Sequence, residues 1–258
     1  MKPKIAVHKF SSCDGCQLAF LNMGEDLLSL FEQVDVIHFA EAGPVNIEEA
    51  VDISFVEGSL STPDDVQRIK QIRDNSNHVI TIGACAAAGG LQALRNIAAQ
   101  DDWVQSVYAT PEYISTLDQV MPIGKQIKVD FELWGCPVNT HQITTALRSL
   151  LNGVMPVNEQ DSLCLECKRQ NHVCVMVSRG LPCMGPVTRT GCGALCPEVG
   201  RDCYGCYGPA ENANIKSLGN RFGALQLNPK QVNHRFVSFN SADPVFGSIE
   251  TAGTERDD

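Results

Sequence analysis

Short apolar runs separated by helix-patterned stretches set the rhythm of the first 150 residues. Residues 4–10 (KIAVHKF), 34–39 (VDVIHF), 51–56 (VDISFV), 78–82 (HVITI) and 126–133 (QIKVDFEL) each have the length and apolar content of a strand. Between them the pattern changes. Leu18, Phe20, Leu21, Leu27, Leu28 and Leu30 follow the first run as an amphipathic helix, and residues 141–151 read as helix after the last. Ser61-Thr62-Pro63-Asp64-Asp65 places a cap, a proline and acids in the order of a helix start. The small-residue stretch AAAGGLQAL after the fourth run reads as one more helix, and residues 95–124 as a less regular insertion. This alternation predicts an α/β domain over residues 1–152, built on a doubly wound parallel sheet.

The rhythm stops near residue 152. Residues 152–161 (NGVMPVNEQD) read as a linker into a second domain, residues 153–258. Eight of the twelve cysteines lie between Cys164 and Cys206, repeatedly beside Gly or Pro, which predicts backbone wrapped around something rather than long regular elements. Beyond Glu211 the apolar residues Ile215, Leu218, Phe222, Leu225, Phe236, Phe239 and Phe246 show little period, and the final TERDD reads as mobile.

Composition narrows the function classes. With 43% hydrophobic residues the chain can bury a real core. Its net charge of −10, with 20 Lys+Arg and no basic cluster, excludes a general nucleic-acid binder. No stretch approaches the roughly 18 apolar residues of a membrane span, and the N-terminus has neither a signal-peptide core nor twin arginines. The expected compartment is the cytoplasm. Thiols stay reduced there, so twelve cysteines point to metal rather than disulfides.

The cysteines follow the predicted strands. Cys13 and Cys16 come after the first run, Cys85 after the fourth and Cys136 after the fifth. In doubly wound sheets these carboxyl-end loops form the ligand crevice, so four thiolates from distant segments converge. Glu57 leaves the third strand toward the same crevice, either tuning what binds there or capping the following turn. The later spacings are C-x2-C-x6-C-x8-C for Cys164, Cys167, Cys174 and Cys183, then C-x3-C-x6-C-x2-C for Cys192, Cys196, Cys203 and Cys206. Sequential quartets are the simpler partition, interleaving stays open, and two zinc sites can be drawn through the same residues. The ferredoxin run C-x2-C-x2-C-x3-C-P is absent. His172 is left out of the ligand set because four thiolates complete it. Neither G-x-G-x-x-G nor a P-loop follows the fourth strand, so nicotinamide and flavin belong on other chains.

Six linked motifs carry a resemblance: Ser12-Cys13-Asp14-Gly15-Cys16-Gln17, Val56-Glu57-Gly58-Ser59, Gly83-Ala84-Cys85-Ala86, Trp134-Gly135-Cys136-Pro137, Cys183-Met184-Gly185-Pro186-Val187-Thr188 and Cys203-Tyr204-Gly205-Cys206. Together, over residues 4–209, they resemble the small subunit of nickel-iron hydrogenases, and most of all the delta subunit of cytoplasmic, bidirectional NAD(P)-linked sulfhydrogenases. The resemblance implies a flavodoxin-like domain in which Cys13, Cys16, Cys85 and Cys136 bind a proximal 4Fe-4S cluster facing a separate large subunit, with Glu57 close by. It implies a distal cluster on Cys164, Cys167, Cys174 and Cys183, with Cys164 standing where membrane-bound relatives use histidine. A medial cluster falls to Cys192, Cys196, Cys203 and Cys206. Those relatives have three cysteines and a proline there, so a fourth thiolate makes all three clusters 4Fe-4S. Oxygen-tolerant relatives carry two extra cysteines at the positions of Gly15 and Gly90, so the implied proximal cluster is an ordinary four-thiolate one.

The implied role is electron transfer between the large subunit's nickel-iron site and an NAD(P)/flavin diaphorase module, with no hydrogen-activating site on this chain. Two rivals stand beside it. One is the small subunit of an F420- or heterodisulfide-linked hydrogenase, or a related quinone-reductase subunit, although the latter's adjacent cysteines are absent here. The other is a zinc-stabilised scaffold with no redox role.

Overall fold

The apolar runs pair side by side into one parallel sheet. In chain order the strands are β1 (Lys4–Lys9), β2 (Asp35–Phe39), β3 (Val51–Glu57), β4 (Ser76–Ile82) and β5 (Phe131–Leu133). Their spatial order is β2-β1-β3-β4-β5, the flavodoxin-like order, whose switch point lies between β1 and β3. The computed structural model describes residues 2–97 and 99–249, so TERDD lies outside the described residues. The chain divides into two units, Met1–Val157 and Asn158–Asp258.

Successive residues of a strand face opposite ways, and in the first unit both faces are covered. Phe55 and Ile80 join Ile5, Val7, Phe20, Phe39, Ile143 and Leu147 in one core. Their neighbours Val56 and Val79 join Phe10, Leu60, Ile69, Ile72 and Ile123 in another. Two-sided burial is why these strands read as unbroken apolar runs rather than alternating ones.

The helices follow their caps. α1 (Gly15–Leu21) and α2 (Glu25–Phe31) divide what the sequence presents as one amphipathic stretch, because Gly24 takes φ 61° between them. α3 (Pro63–Asp74) starts in a capping box, with Asp65 N–H donating to Thr62 Oγ1 at 3.1 Å and Thr62 N–H donating to Asp65 Oδ2 at 3.0 Å. α4 (Gly83–Ala88) stops at Gly89, φ 81°, and a 3₁₀ turn over Leu91–Ile97 follows, so AAAGGLQAL is not one helix. α5 (Gln100–Val107) lies in the insertion, and α6 (Thr140–Leu151) is capped reciprocally by Asn139 and Gln142. The fifth strand is shorter than its apolar run. Asp130 Oδ2 takes the Val79 N–H at 2.8 Å and a donor of Arg73 at 2.5 Å, so ladder pairing with β4 begins only at Phe131.

The second unit has more helix than its sequence suggests. The cysteine segment includes three short helices, α7 (Leu163–Arg169), α8 (Val175–Arg179) and α9 (Leu195–Glu198). The tail supplies α10 (Ile215–Ala224) and α11 (Pro229–Val237), correcting the reading that it lacks period. Ile215, Leu218, Phe222 and Leu225 do fall at helical spacing, but Gly219 and Gly223 dilute the pattern. Leu218, Phe222, Val232, Phe236 and Phe246 pack with Leu163, Val175, Met184, Cys183 and Cys203 into a single core. Among the described residues no helix is long and apolar enough to cross a membrane.

Candidate metal centres

The segments leaving the carboxyl ends of β1, β4 and β5 bring Cys13, Cys16, Cys85 and Cys136 to one edge of the sheet, with Cys16 in the first turn of α1 and Cys85 in α4. Cys16 lies within electrostatic reach of Cys85 and Cys136, Cys85 of Cys136 and Cys13, and Cys136 of Cys13. Hydrogen bonds tie the loops to each other. Ser11 and Ser59 exchange backbone bonds at 3.2 and 3.0 Å, and Ala84 N–H donates to Gly135 O at 2.7 Å. Gly58, φ 93°, makes the first pairing possible, since a Cβ there would sit 2.6 Å from the Phe10 carbonyl carbon.

Other glycines border the sulfurs themselves. A Cβ on Gly83 would overlap the Cys16 sulfur, and one on Gly90 would lie 2.5 Å from the Cys85 sulfur. One on Gly15 would lie 3.4 Å from that of Cys13. In the second unit a Cβ on Gly185 would approach the sulfurs of Cys183 and Cys164 at 3.4 and 3.5 Å. At these positions glycine lets the backbone pack directly against the thiols.

Glu57 is 2% exposed at the end of β3. Its carboxylate accepts the Cys16 N–H and the Gln17 side-chain N–H, both at 3.0 Å, so it caps the amino end of α1 rather than the turn that follows β3. Burial pushes its carboxyl up, against the pull of those donors. Trp134 is 5% exposed and donates Nε1–H to Glu132 at 3.1 Å, a packing position beside Cys136.

In the second unit Cys164 is within reach of Cys183 and Cys174, Cys167 of Cys164 and Cys183, and Cys183 of Cys174. The remaining four stand as two pairs, Cys192 with Cys196 and Cys203 with Cys206. Each pair lies within electrostatic reach of the earlier four, through Cys167 with Cys192 and Cys183 with Cys203. Backbone N–H groups point at sulfur here: Cys203 N to Cys183 Sγ and Gly205 N to Cys203 Sγ, each at 3.3 Å. His172 shares its hydrogen bond with Gln170 at 2.6 Å and not with a thiol.

Burial raises most of these thiols. It lifts Cys85, Cys164 and Cys167 to about 11 each, with neighbouring thiols adding to the effect. Cys16 and Cys203 are pushed well up for the same first reason. Buried thiols of this kind keep their protons unless a metal replaces them, because a thiolate here has no compensating charge. Among the described residues no group of three or more His, Cys, Asp or Glu side chains is placed to hold a single metal ion. Buried thiols, sulfur-directed N–H groups and close backbone approach at glycine fit an iron-sulfur cluster.

Three residues that the sequence does not single out enter the second unit's site. Arg235 of α11 ion-pairs with Asp202, and Asn240 Nδ2 donates to Gly205 O at 2.9 Å. Arg235 and Asn240 lie more than thirty positions from the residues they hold, and nothing in the local sequence marks them.

A doubly wound sheet with thiols gathered at its carboxyl edge, followed by eight further cysteines, defines a hydrogenase small-subunit-like protein. More particularly, the chain belongs to the family described as NADH ubiquinone oxidoreductase, 20 Kd subunit, whose sequence model matches residues 13–150. It is 32% identical to sulfhydrogenase 2 subunit delta of Pyrococcus furiosus over 215 residues, covering 83% of this chain and 90% of that one. A vhu subunit of the F420-non-reducing hydrogenase of Methanocaldococcus jannaschii is 30% identical, covering 81% and 83%. Subunit delta of the NAD-reducing hydrogenase HoxS of Cupriavidus necator is also 30% identical, but covers 59% of this chain and 80% of its own length. Among solved structures, an NAD+-reducing [NiFe]-hydrogenase in the H2-reduced state matches with TM-score 0.57 and 27% identity, over 61% of this chain and 95% of its own. A [NiFeSe] hydrogenase of Desulfovibrio vulgaris Hildenborough shares the fold over 82% of this chain and 95% of its own, with TM-score 0.54 and 17% identity.

Proposed function

We propose that this chain is the electron-transfer small subunit of a nickel-iron hydrogenase. The observation that carries the reading is the mutual approach of Cys13, Cys16, Cys85 and Cys136, four raised or exposed thiols drawn from three separate strand ends into one crevice. These hold a proximal 4Fe-4S cluster. Cys192, Cys196, Cys203 and Cys206 hold a medial one, and Cys164, Cys167, Cys174 and Cys183 a distal one. Three 4Fe-4S clusters would then supply one-electron storage, with little structural rearrangement at each transfer.

The chain's own residues prepare that environment. Glu57 fixes the amino end of α1 and so the direction of Cys16. Gly83 and Gly90 let the backbone lie directly against the Cys16 and Cys85 sulfurs. The N–H groups of Cys203 and Gly205 favour the thiolate forms of Cys183 and Cys203 against the opposing effect of burial. Hydrogen is activated elsewhere, on a large-subunit partner, and this chain passes the electrons to or from it, in the cytoplasm.

Two exits are supported by different relatives. The likeness to NAD-reducing hydrogenases supports an NAD(P)-linked exit, for which we propose a diaphorase module carrying the flavin. The F420-non-reducing relatives cover a larger share of this chain, 81% against 59%, which favours a hydrogenase that does not reduce F420 as a second reading. The test is anaerobic isolation of the chain with its partners, followed by exposure to hydrogen as sole reductant. Iron-sulfur absorbance that bleaches, with a nickel-containing partner present, is expected. A complex without nickel whose absorbance ignores hydrogen refutes the reading.

A further inference from the structure

The Cys203-Tyr204-Gly205-Cys206 loop is gripped by the tail. Arg235 of α11 ion-pairs with Asp202, the residue before Cys203, and its guanidinium lies 4.8 Å from the ring centre of Tyr204, the residue after it. The two charged side chains are only 21% and 11% exposed, so water and salt screen their fields weakly. Asn240, 1% exposed, donates to Gly205 O, while Gly205 N–H donates to the Cys203 sulfur and Cys203 N–H to the Cys183 sulfur. One carboxylate, one guanidinium and one amide therefore converge on the loop that joins two of the proposed clusters' ligands. Asp202 also makes its negative charge felt at the Cys183 sulfur.

We infer that the Asp202–Arg235 pair is a built-in charge balance that sets the reduction potential of the iron-sulfur sites served by Cys183 and Cys203. This rests on the reading above that those cysteines hold clusters. Reduction adds an electron to the site, so a bare carboxylate alongside opposes it and a bare guanidinium assists it. Paired, the two nearly cancel. Arg235 also stacks on Tyr204, which makes it a positioning residue whose removal both unmasks Asp202 and frees the loop.

The test is a spectroscopic redox titration of the anaerobically purified complex carrying wild-type chain, Asp202→Asn, Arg235→Gln, Arg235→Lys or the Asp202→Asn/Arg235→Gln double variant. Asp202→Asn is expected to move at least one second-unit signal to more positive potential and Arg235→Gln to move it to more negative potential. The double variant, with neither charge, returns close to wild type, and so does Arg235→Lys, which keeps the charge. The signal of the Cys13 quartet stays in place throughout. Should Arg235→Gln fail to accumulate because it buries an unpaired carboxylate, Asp202→Asn against the double variant still measures the effect of Arg235's charge. Variants that all titrate with wild type, or that shift every signal together, overturn the inference. Wild-type protein lacking iron and sulfide would instead overturn the reading beneath it.

Discussion

Two buried residues show how much rests on single side chains. Glu57 satisfies the Cys16 N–H and Gln17 Nε2–H in a region closed to water. Glu57→Ala strands both donors and is expected to destabilise the chain by about 1–3 kcal/mol, read by urea unfolding of variant and wild type under anaerobic conditions. His8 stacks on His38 with ring centres 4.5 Å apart, and burial, helped by His38 and Arg68, lowers it to about 3. Between that value and the ordinary one near 6.5, the unfolded chain holds the proton and the folded chain does not, so stability falls as pH falls through the window. His8→Phe keeps a ring and removes the titration. Its stability relative to wild type is expected to improve by up to about 1.4 kcal/mol per pH unit below 6.5, measured by unfolding at matched pH; a constant difference contradicts this. The cysteines were legible at this scale because soft ligands at strand ends leave few other uses. The Asp202–Arg235 pair was not, since an ion pair thirty-three positions apart has no trace in either neighbourhood.

At the scale of elements, strands were read best where burial is two-sided. β3 and β4 contribute apolar residues to a core on each face, and their runs stand out from the polar helices. The fifth run is longer than its strand because periodicity cannot reveal that the Asp130 carboxylate takes the Val79 N–H, while the Asp130 backbone N–H still donates to Val79 O at 2.9 Å. The tail helices were missed for a composition reason, two glycines within α10, although Asn214 and Asn228 both cap as their residue type favours. Asn228→Ala removes the acceptor of the Gln231 N–H at 2.9 Å and is expected to lower stability by about 1 kcal/mol, seen as a shifted denaturation midpoint. Turns at the crevice are less forgiving. Gly83→Ala meets both the left-handed φ of 86° and the Cys16 sulfur, so the variant is expected to lose the proximal cluster and retain roughly two thirds of its iron by metal analysis. Full retention would show that Gly83 does not border the site.

For the molecule as a whole, the two units are supported in different ways. The family match lies in residues 13–150, inside the first unit, where the parallel sheet places four thiols together. The NAD-linked relatives cover about three fifths of this chain, whereas the sulfhydrogenase delta and F420-non-reducing subunits cover more than four fifths. Relatives that extend further therefore bear most on the eight cysteines of the second unit. The net charge of −10 suits docking against basic surfaces of partner subunits more than association with nucleic acid. Everything proposed for this chain depends on its twelve cysteines holding iron and inorganic sulfide. Quantifying iron, acid-labile sulfide and zinc per chain in protein purified without oxygen tests that dependence most directly. About twelve irons with matching sulfide and no zinc is the predicted result, and zinc without sulfide would contradict it.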